Sequence, residues 1–237
     1  MEAAKKEYLE CEKLWIFGVL MLTGRFLGAF TYSVRGGVFC NAQTGNFVLL
    51  AMAFGNGEWG RAAYYLIPMT AYGAGAVLSE ILPKKVKRTH IIRWDTLLIG
   101  VEILVIIALG FVPESAPYQI SQIAINFICS MQYNTFRQAQ GIPMATTFCT
   151  NHLRQLGIHI GKWMQKKERG ALRRGGYHLV MLGVFVVGGV AATVLCRFFL
   201  GKAIWGAALI LLVAFVDLLH ADLTKERGRL DQTPSGH

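Results

Sequence analysis

The sequence predicts an all-α integral membrane protein with six transmembrane helices and two interrupted, half-helix segments. Of its 237 residues, 54% are hydrophobic and only 16% are charged, whereas a globular protein usually carries about a quarter charged residues. The apolar residues gather into blocks of about 20, the length that crosses a hydrocarbon core of roughly 30 Å. Composition and block length together exclude a soluble globular protein.

Six blocks are long and apolar enough for complete spans. They cover residues 14–34, 62–82, 91–112, 118–137, 177–199 and 203–221. Two further segments, residues 38–54 and 144–163, mix apolar residues with polar ones. The second contains Arg154 and Lys162, and a charged side chain at the bilayer centre costs about 2.5–3.5 kcal/mol. We therefore expect neither segment to be a complete, lipid-facing span.

The positive charge of the chain predicts its orientation. Its 24 basic and 14 acidic residues give a net charge of +10, and the basic ones cluster at both termini and in two short loops, residues 84–93 and 162–174. Short loops rich in Lys and Arg stay cytoplasmic. All four regions are cytoplasmic only if both ambiguous segments return to the side they entered, with residues 1–13 and 222–237 also cytoplasmic. Since orientation accounts for the charge, we expect no nucleic-acid partner.

The predicted elements repeat. Three spans and one interrupted segment occur in residues 14–112 and again in residues 113–221, and an odd number of crossings gives the two halves opposite orientations. This 3+3 inverted repeat is the plan of many transporters and channels. Identity between the halves is thin: Phe30 corresponds to Phe136, Gly36 to Gly141, and Thr-Gly-Asn at 44–46 to Thr-Asn-His at 150–152.

The stretch NAQTGN at residues 41–46 predicts non-helical backbone at membrane depth. Such backbone must be buried in protein or line a wet cavity, because lipid offers its amides no partner. Short polar side chains cap backbone groups, and glycine admits another chain or a ligand. We therefore predict an extended segment followed by a half-helix over residues 44–54. MATTFCTN at residues 144–151 predicts the same from the other side.

Two half-helix N-termini would form an electropositive site near the midplane, because each presents unpaired N–H groups and about half a positive charge. Such a site suits an anion or a polar neutral solute. An alternative left open is that these residues only cap a kink buried in helix packing. The candidate substrate-binding residues are Asn41, Gln43, Thr44, Gly45, Asn46, Thr147, Thr150, Asn151 and His152.

Four charged residues are candidates for a solute pathway. Arg25 and Glu102 each lie eleven residues after the cytoplasmic start of a span, about 16 Å deep. We predict that they pair or jointly line the path, and a purely structural ion pair is the alternative. Arg35 and Arg137 lie at span ends beside the interrupted segments, where they would attract an anion or extend to the interface.

Both motifs resemble signatures of a known family. RGGVFCNAQTGNFVLL at residues 35–50 resembles the first signature of the YoaK-like bacterial membrane proteins, and MQYNTFRQAQGIPMATTFCTNHLR at 131–154 resembles the second. The resemblance covers nearly the whole chain. It implies a multi-pass protein of the bacterial cytoplasmic membrane and names no substrate. The chain departs from many relatives in lacking an acidic residue at 24–30 and in reading Thr-Asn-His at 150–152, which puts acid-dependent ion coupling in doubt.

The leading hypothesis is a small secondary transporter or channel-like facilitator for a small polar, preferably anionic, solute. A non-transporting receptor or partner subunit is the alternative. A membrane enzyme is disfavoured because the acids and histidines are scattered. The five cysteines show no C-x-x-C or zinc spacing, so we expect no metal and no cofactor. Gly24 and Gly28 form a G-x-x-x-G that predicts close packing within the chain first and dimerisation second. The oligomeric state is left open.

Overall fold

The computed structural model describes residues 8–234, which are almost entirely helical. The helices are α1 Leu14–Val34, α2 Gln43–Gly55, α3 Trp59–Lys87, α4 Trp94–Leu109, α5 Tyr118–Thr135, α6 Thr150–Lys166, α7 Arg169–Phe199 and α8 Trp205–Leu223. Two short antiparallel strands, β1 Gln138–Ala139 and β2 Ile142–Pro143, form a hairpin between α5 and α6. Short 3-10 helices lie before α1, between α7 and α8, and after α8.

Three stretches are long and apolar enough to cross a membrane. They are Leu14–Val34, Trp59–Lys87 and Arg169–Leu223, the last made of α7, the 3-10 helix Leu200–Ile204 and α8. Large apolar side chains also cover the outside of the bundle, as at Leu104 and Leu209, and such a surface suits lipid. The prediction of a helical protein suited to a membrane is therefore confirmed.

Helix boundaries agree best with the sequence where an apolar block has sharp ends. The first helix has the predicted bounds, Leu14–Val34. By contrast α3 continues through Pro83 to Lys87, and α7 begins at Arg169, eight residues before the predicted span. A hydropathy pattern locates the membrane-embedded part of a helix, and a helix can continue beyond that part into polar surroundings.

Two predicted spans are shorter in the structure. The α4 helix begins at Trp94 rather than at residue 91, because Arg93 has extended backbone at φ −73° and ψ 156°. Its N–H donates to Asp222 Oδ2 at 2.9 Å. The α5 helix ends at Thr135 rather than at residue 137 because the chain then turns into the β1–β2 hairpin. The hairpin turn includes Gly141 at φ 76°, a conformation that glycine adopts without strain.

The helices pack in pairs. The α1 helix lies along α7, and α3 lies along α5, while α2 packs on α3, α6 on α7, and α4 on α8. Glycines allow two close approaches of backbone. A Cβ atom at Gly188 of α7 would overlap the carbonyl oxygen of Leu22, and one at Gly75 of α3 would overlap that of Phe127. Small residues at these positions bring the backbones together, as expected inside a membrane.

One end of the bundle, here called the terminal face, gathers the start of α1, the start of α4 and the end of α8. Glu10 donates its backbone N–H to Glu226 Oε1 at 2.7 Å, and Arg93 lies buried against Asp95 and Asp222. Trp94 Nε1 donates to Thr135 Oγ1 at 2.9 Å, which adds the end of α5. Both ends of the described chain therefore lie on the same side of the bundle.

Candidate functional site

The first interrupted segment, residues 35–42, runs from the end of α1 back to its middle. Gly36 and Gly37 reverse the chain at φ 82° and 71°. Asn41 is buried, and its Nδ2 donates to the carbonyl oxygen of Gly24 at 2.5 Å. A Cβ atom at Gly28 would lie 2.8 Å from Asn41 Oδ1. Since Gly24 is at the centre of the 21-residue α1, the segment reaches the middle of that helix.

The second interrupted segment, residues 144–149, reaches the same place from the terminal face. A Cβ atom at Gly24 would lie 3.0 Å from the carbonyl oxygen of Thr146 and 3.4 Å from Thr147 Cγ2. The structure thus brings the two predicted motifs together on one small-residue surface of α1. The G-x-x-x-G of this helix packs against other parts of the same chain, the first of the two roles that the sequence predicted.

Two residues predicted to bind a solute form hydrogen bonds to the backbone of the interrupted segments. Asn46 Nδ2 donates to the carbonyl oxygen of Phe39 at 2.7 Å, and Asn46 Oδ1 accepts from the Phe39 N–H at 3.3 Å. His152 Nε2 lies 2.9 Å from the carbonyl oxygen of Ala145. Both side chains are fully buried. They supply hydrogen-bond partners to extended backbone that has no water nearby.

The first motif continues into a polar network that sequence reasoning missed. Gln43 Nε2 donates to Asn126 Oδ1 at 2.7 Å, and Asn126 Nδ2 donates to the carbonyl oxygen of Gln122. Gln122 Nε2 in turn donates to the carbonyl oxygen of Arg35 at 2.7 Å. Polar residues at positions 122 and 126 of an apolar span share one helix face, a signal that could have identified them. Thr44 lies exposed on α2, outside this network.

The second motif contacts His178, which in turn stacks on His159. His152 Nδ1 lies 3.0 Å from His178 Nδ1, and the His178 ring stacks on His159 at a centroid distance of 5.8 Å. Because the carbonyl oxygen of Ala145 can only accept, His152 Nε2 carries its proton. With both rings neutral, His178 Nδ1–H must then donate to His152 Nδ1. The sequence placed His178 inside an apolar span and gave no reason to single it out.

A cavity of about 390 Å³ opens beside the second interrupted segment. Arg137, at the end of α5, and Asn151, in the first turn of α6, are the two predicted site residues that line it. Arg137 pairs with Glu80 and with Asn134, and Asn151 Oδ1 accepts from Arg154 at 3.1 Å. The other lining residues are Tyr133, Asn134, Pro143, Met144, Ala145 and Phe148.

The two predicted site residues Thr147 and Thr150 do not line this cavity. Thr150 is exposed, and Thr147 is buried in the second interrupted segment.

A family profile described as "Protein of unknown function (DUF1275)" matches residues 16–216. The chain belongs to the DUF1275 family. The match includes both interrupted segments and all the residues of the polar network and the cavity. The resemblance to YoaK-like proteins is consistent with it, and the family description names no activity. No curated protein and no solved structure matches the chain.

In this DUF1275 chain the expected pairing of Arg25 with Glu102 does not form. The guanidinium of Arg25 lies 4.7 Å from the centre of the Phe185 ring, on the outer surface of the α1–α7 pair. Glu102 is fully buried, and neither carboxyl oxygen has a hydrogen-bond partner among residues 8–234. Equal depth in the sequence did not place the two side chains on facing surfaces, because depth does not specify which face of a helix a residue occupies.

Arg35 is buried and paired. Its Nη1 lies 2.6 Å from Glu114 Oε2, and Nη2 donates to the carbonyl oxygen of Val112 at 3.3 Å. The backbone N–H of Gly201 donates to the other oxygen of Glu114. This ion pair ties the end of α1 to the loops after α4 and α7. Arg35 is therefore neither a freely accessible anion attractor nor a side chain extended into the interface.

Proposed function

We propose that the protein is a small secondary transporter or channel-like facilitator of the bacterial cytoplasmic membrane, carrying a small polar solute with an anion favoured. The observation that carries this proposal is the cavity of about 390 Å³ where the first turn of α6 meets the end of α5. Its volume is in the range of small-molecule sites, roughly 300–1,000 Å³. It opens beside the non-helical backbone of residues 144–149, whereas a purely structural bundle in a membrane would keep its backbone helical.

The packing supports an inverted repeat of two halves, residues 14–112 and 113–221, with six spans. In this scheme α1, α3 and α4 correspond to α5, α7 and α8, and the half-helix α2 corresponds to α6. Exchanging the halves converts the α1–α7 contact into the α5–α3 contact, and the α2–α3 contact into the α6–α7 contact. The α4–α8 contact converts into itself. A pseudo-two-fold axis requires contacts of this kind.

Details of the two motifs support the same correspondence. Asn46 and His152 occupy equivalent places in Thr-Gly-Asn and Thr-Asn-His, and each bonds to backbone seven residues before it. The rings of Tyr133 and Phe148 lie 4.8 Å apart and line the cavity. We infer that this aromatic pair closes the solute path on the cavity side.

The preference for an anion follows from the donors at the cavity. Asn151 is the second residue of α6, so the free N–H groups and the positive end of the helix dipole lie beside it. The Nδ2 of Asn151 has no bond to another described residue, since only its Oδ1 accepts, from Arg154. Arg137 adds a guanidinium that Glu80 partly neutralises. Donors at a helix N-terminus bind anions and polar oxygen atoms.

The orientation follows from the terminal face. Both described chain ends lie there, as does the end of α5 that borders the cavity. The basic residues at 84–93 cover the end of α3 and the connection to α4 on this face, and those at 162–174 cover the end of α6 and the start of α7. Basic loops stay inside. We therefore propose cytoplasmic termini and a cavity that opens to the cytoplasm.

Flux through proteoliposomes tests the proposal. The purified protein would be reconstituted and assayed with formate, nitrate, lactate and phosphate. We expect flux of at least one of these anions above empty liposomes, and an Asn151→Ala variant that lowers it about ten-fold, since a donor interaction is worth about 1–1.5 kcal/mol. Gln165→Ala, a matched amide change at the far end of α6, should leave it unchanged.

Two outcomes would contradict the proposal. Folded protein that moves none of the four anions argues against anion transport, and stable co-purification with another membrane protein would then favour a receptor or partner subunit. If Asn151→Ala leaves the flux unchanged, the solute path does not pass through this cavity.

A further inference from the structure

A second pocket, here called the basic pocket, lies where α6 joins α7. It has a volume of about 440 Å³. Its charged and titratable lining residues are His159, Lys162, Glu168, Arg169, Arg173 and Arg174. Four positive groups face one carboxylate, so the pocket attracts anions. It shares no residue with the cavity of the proposed solute path, and the inference below does not depend on that path.

His159 lines the basic pocket and lacks a hydrogen-bond partner. The residue is 8% exposed, and its buried Nδ1 has no partner among the described residues. Gly175 lies against its Cβ and His178 stacks on its ring, so the imidazole is fixed in place. A buried N–H without an acceptor is rarer than an unused lone pair, so Nε2 carries the proton. This fixed donor lies beside four cations and is available to an acceptor from outside the chain.

The start of α7 adds a second source of positive potential. This helix of 31 residues begins at Arg169, inside the pocket. The first N–H groups of a helix have no partner within it and carry about half a positive charge. Gly170 has no side chain to cover them. Backbone amides, arginines and an imidazole N–H together form the donor set that a phosphate group prefers.

The depth of the pocket identifies the source of the phosphate. Gly188 of α7 contacts Leu22, close to the middle of α1, and Arg174 precedes Gly188 by 14 residues. That separation is about 21 Å along a helix. Half of a bilayer including its headgroups is also about 20–22 Å thick. Arg174 is therefore level with the phosphate groups of the leaflet on the terminal face.

Apolar side chains lie beside the pocket on the same hairpin. Met164 of α6 and Leu172 of α7 are 64% and 50% exposed. Leu172 lies between the pocket residues Ala171 and Arg173, and Met164 follows the pocket residue Lys162 by two positions. A free phosphate ion would make no use of them, whereas acyl chains would cover them. Cationic side chains next to apolar ones, at headgroup depth, are the combination that recognises an anionic lipid.

We propose that the basic pocket binds the phosphate headgroup of an anionic phospholipid. Arg173 and Arg174 contact the phosphate oxygens, His159 Nε2–H donates to one of them, and the acyl chains lie along Met164 and Leu172. The bound lipid fixes the α6–α7 hairpin against the membrane surface. It thereby holds α6, whose first turn carries His152 and Asn151, at a defined depth.

Lipid binding to the purified full-length protein tests this assignment. The protein in neutral detergent would be titrated with phosphatidylglycerol or phosphatidylcholine, with bound lipid counted by native mass spectrometry. We expect phosphatidylglycerol to bind at least ten-fold more tightly. The double variant Arg173→Gln/Arg174→Gln should lose at least five-fold of that affinity. The matched double variant Lys84→Gln/Lys85→Gln removes two exposed cations from the end of α3 and should retain it.

A neutral variant and a competition assay complete the test. His159→Gln changes no charge at neutral pH and should weaken phosphatidylglycerol binding two- to five-fold while leaving phosphatidylcholine binding unchanged. This variant still tests the proposal if the double arginine variant fails to fold. Equal affinity for the two lipids, or full retention of phosphatidylglycerol by both pocket variants, would overturn the proposal. Displacement of the lipid by millimolar inorganic phosphate would also overturn it and assign the pocket to the free ion.

Discussion

Asn46 and His152 hold two separate parts of the chain in the same manner. Each is fully buried in the first turn of a short helix, and each forms a hydrogen bond to a backbone carbonyl seven residues before it. The carbonyl belongs to Phe39 for Asn46 and to Ala145 for His152. An asparagine and a histidine thus perform one task at corresponding positions. Each side chain supplies a hydrogen-bond partner that water would otherwise provide to extended backbone.

Loss of the Asn46 side chain should destabilise the protein. Asn46→Ala removes two hydrogen bonds to the Phe39 backbone and a third to Gln43 Oε1. It leaves the N–H and carbonyl of Phe39 unpaired, at a cost of about 2–4 kcal/mol. Thermal unfolding in detergent measures the loss. Thr44→Ala, at an exposed position of the same turn, is the control and should change the unfolding temperature little. Equal effects of the two substitutions would contradict a holding role for Asn46.

Added methyl groups on α1 should separate the two interrupted segments from that helix. A Cβ atom at Gly28 would meet Asn41, and one at Gly24 would meet Thr146. Either Gly→Ala substitution should therefore lower the yield of folded protein and its unfolding temperature. Gly18→Ala introduces the same methyl group where nothing lies within 4 Å. That change should be neutral or slightly stabilising, by up to about 1 kcal/mol, because alanine favours the helix.

Glu102 should behave as a neutral residue. Its carboxyl group is buried without a partner among the described residues, and an unpaired charge there would cost far more than a protonated acid. Glu102→Gln keeps the size and the neutral state, so the unfolding temperature at pH 7 should hardly change, whereas Glu102→Ala should lower it by leaving a void. A large loss of stability in Glu102→Gln would indicate a charged carboxylate with a partner.

Lipid binding at the basic pocket should strengthen as the pH falls. Burial lowers the pKa of His159, and the positive charges of Lys162 and Arg174 lower it further, so the empty pocket holds a neutral imidazole at pH 7. A bound phosphate favours the protonated ring. Phosphatidylglycerol affinity should therefore rise between pH 7.5 and pH 5.5. The other charged or titratable groups facing the ring are His178, Glu168, Arg169 and Arg173.

The folding stability of lipid-free protein should change in the opposite direction. A histidine whose pKa is lower in the folded state than in the unfolded state binds fewer protons when folded, so stability falls as the pH drops below about 6.5. His159→Gln isolates this contribution from that of His178.

The same variant checks the prediction for lipid affinity. If the affinity of His159→Gln protein for phosphatidylglycerol still depends on pH, the effect belongs to another group.

Sequence reasoning was accurate where a single property decides the structure. An apolar block between Lys13 and Arg35, with Arg25 as its one charged residue, predicted the bounds of α1. The polar run at residues 41–46 predicted an interruption, and α2 begins there, at Gln43. It was wrong where contacts between distant residues decide, since Arg25 and Glu102 share a depth yet occupy different surfaces. Solute binding by Asn46 and His152 stays a prediction.

The sequence by itself determined that this chain is helical, which blocks suit a membrane, and where the two interruptions lie, because hydropathy and backbone chemistry act locally along the chain. Only the tertiary structure decided which side chains meet. It brought both interruptions to Gly24, buried Glu102 alone, and placed His159 in a basic pocket. Contacts between distant residues depend on which helix faces pack together, and that choice is made by the whole bundle at once.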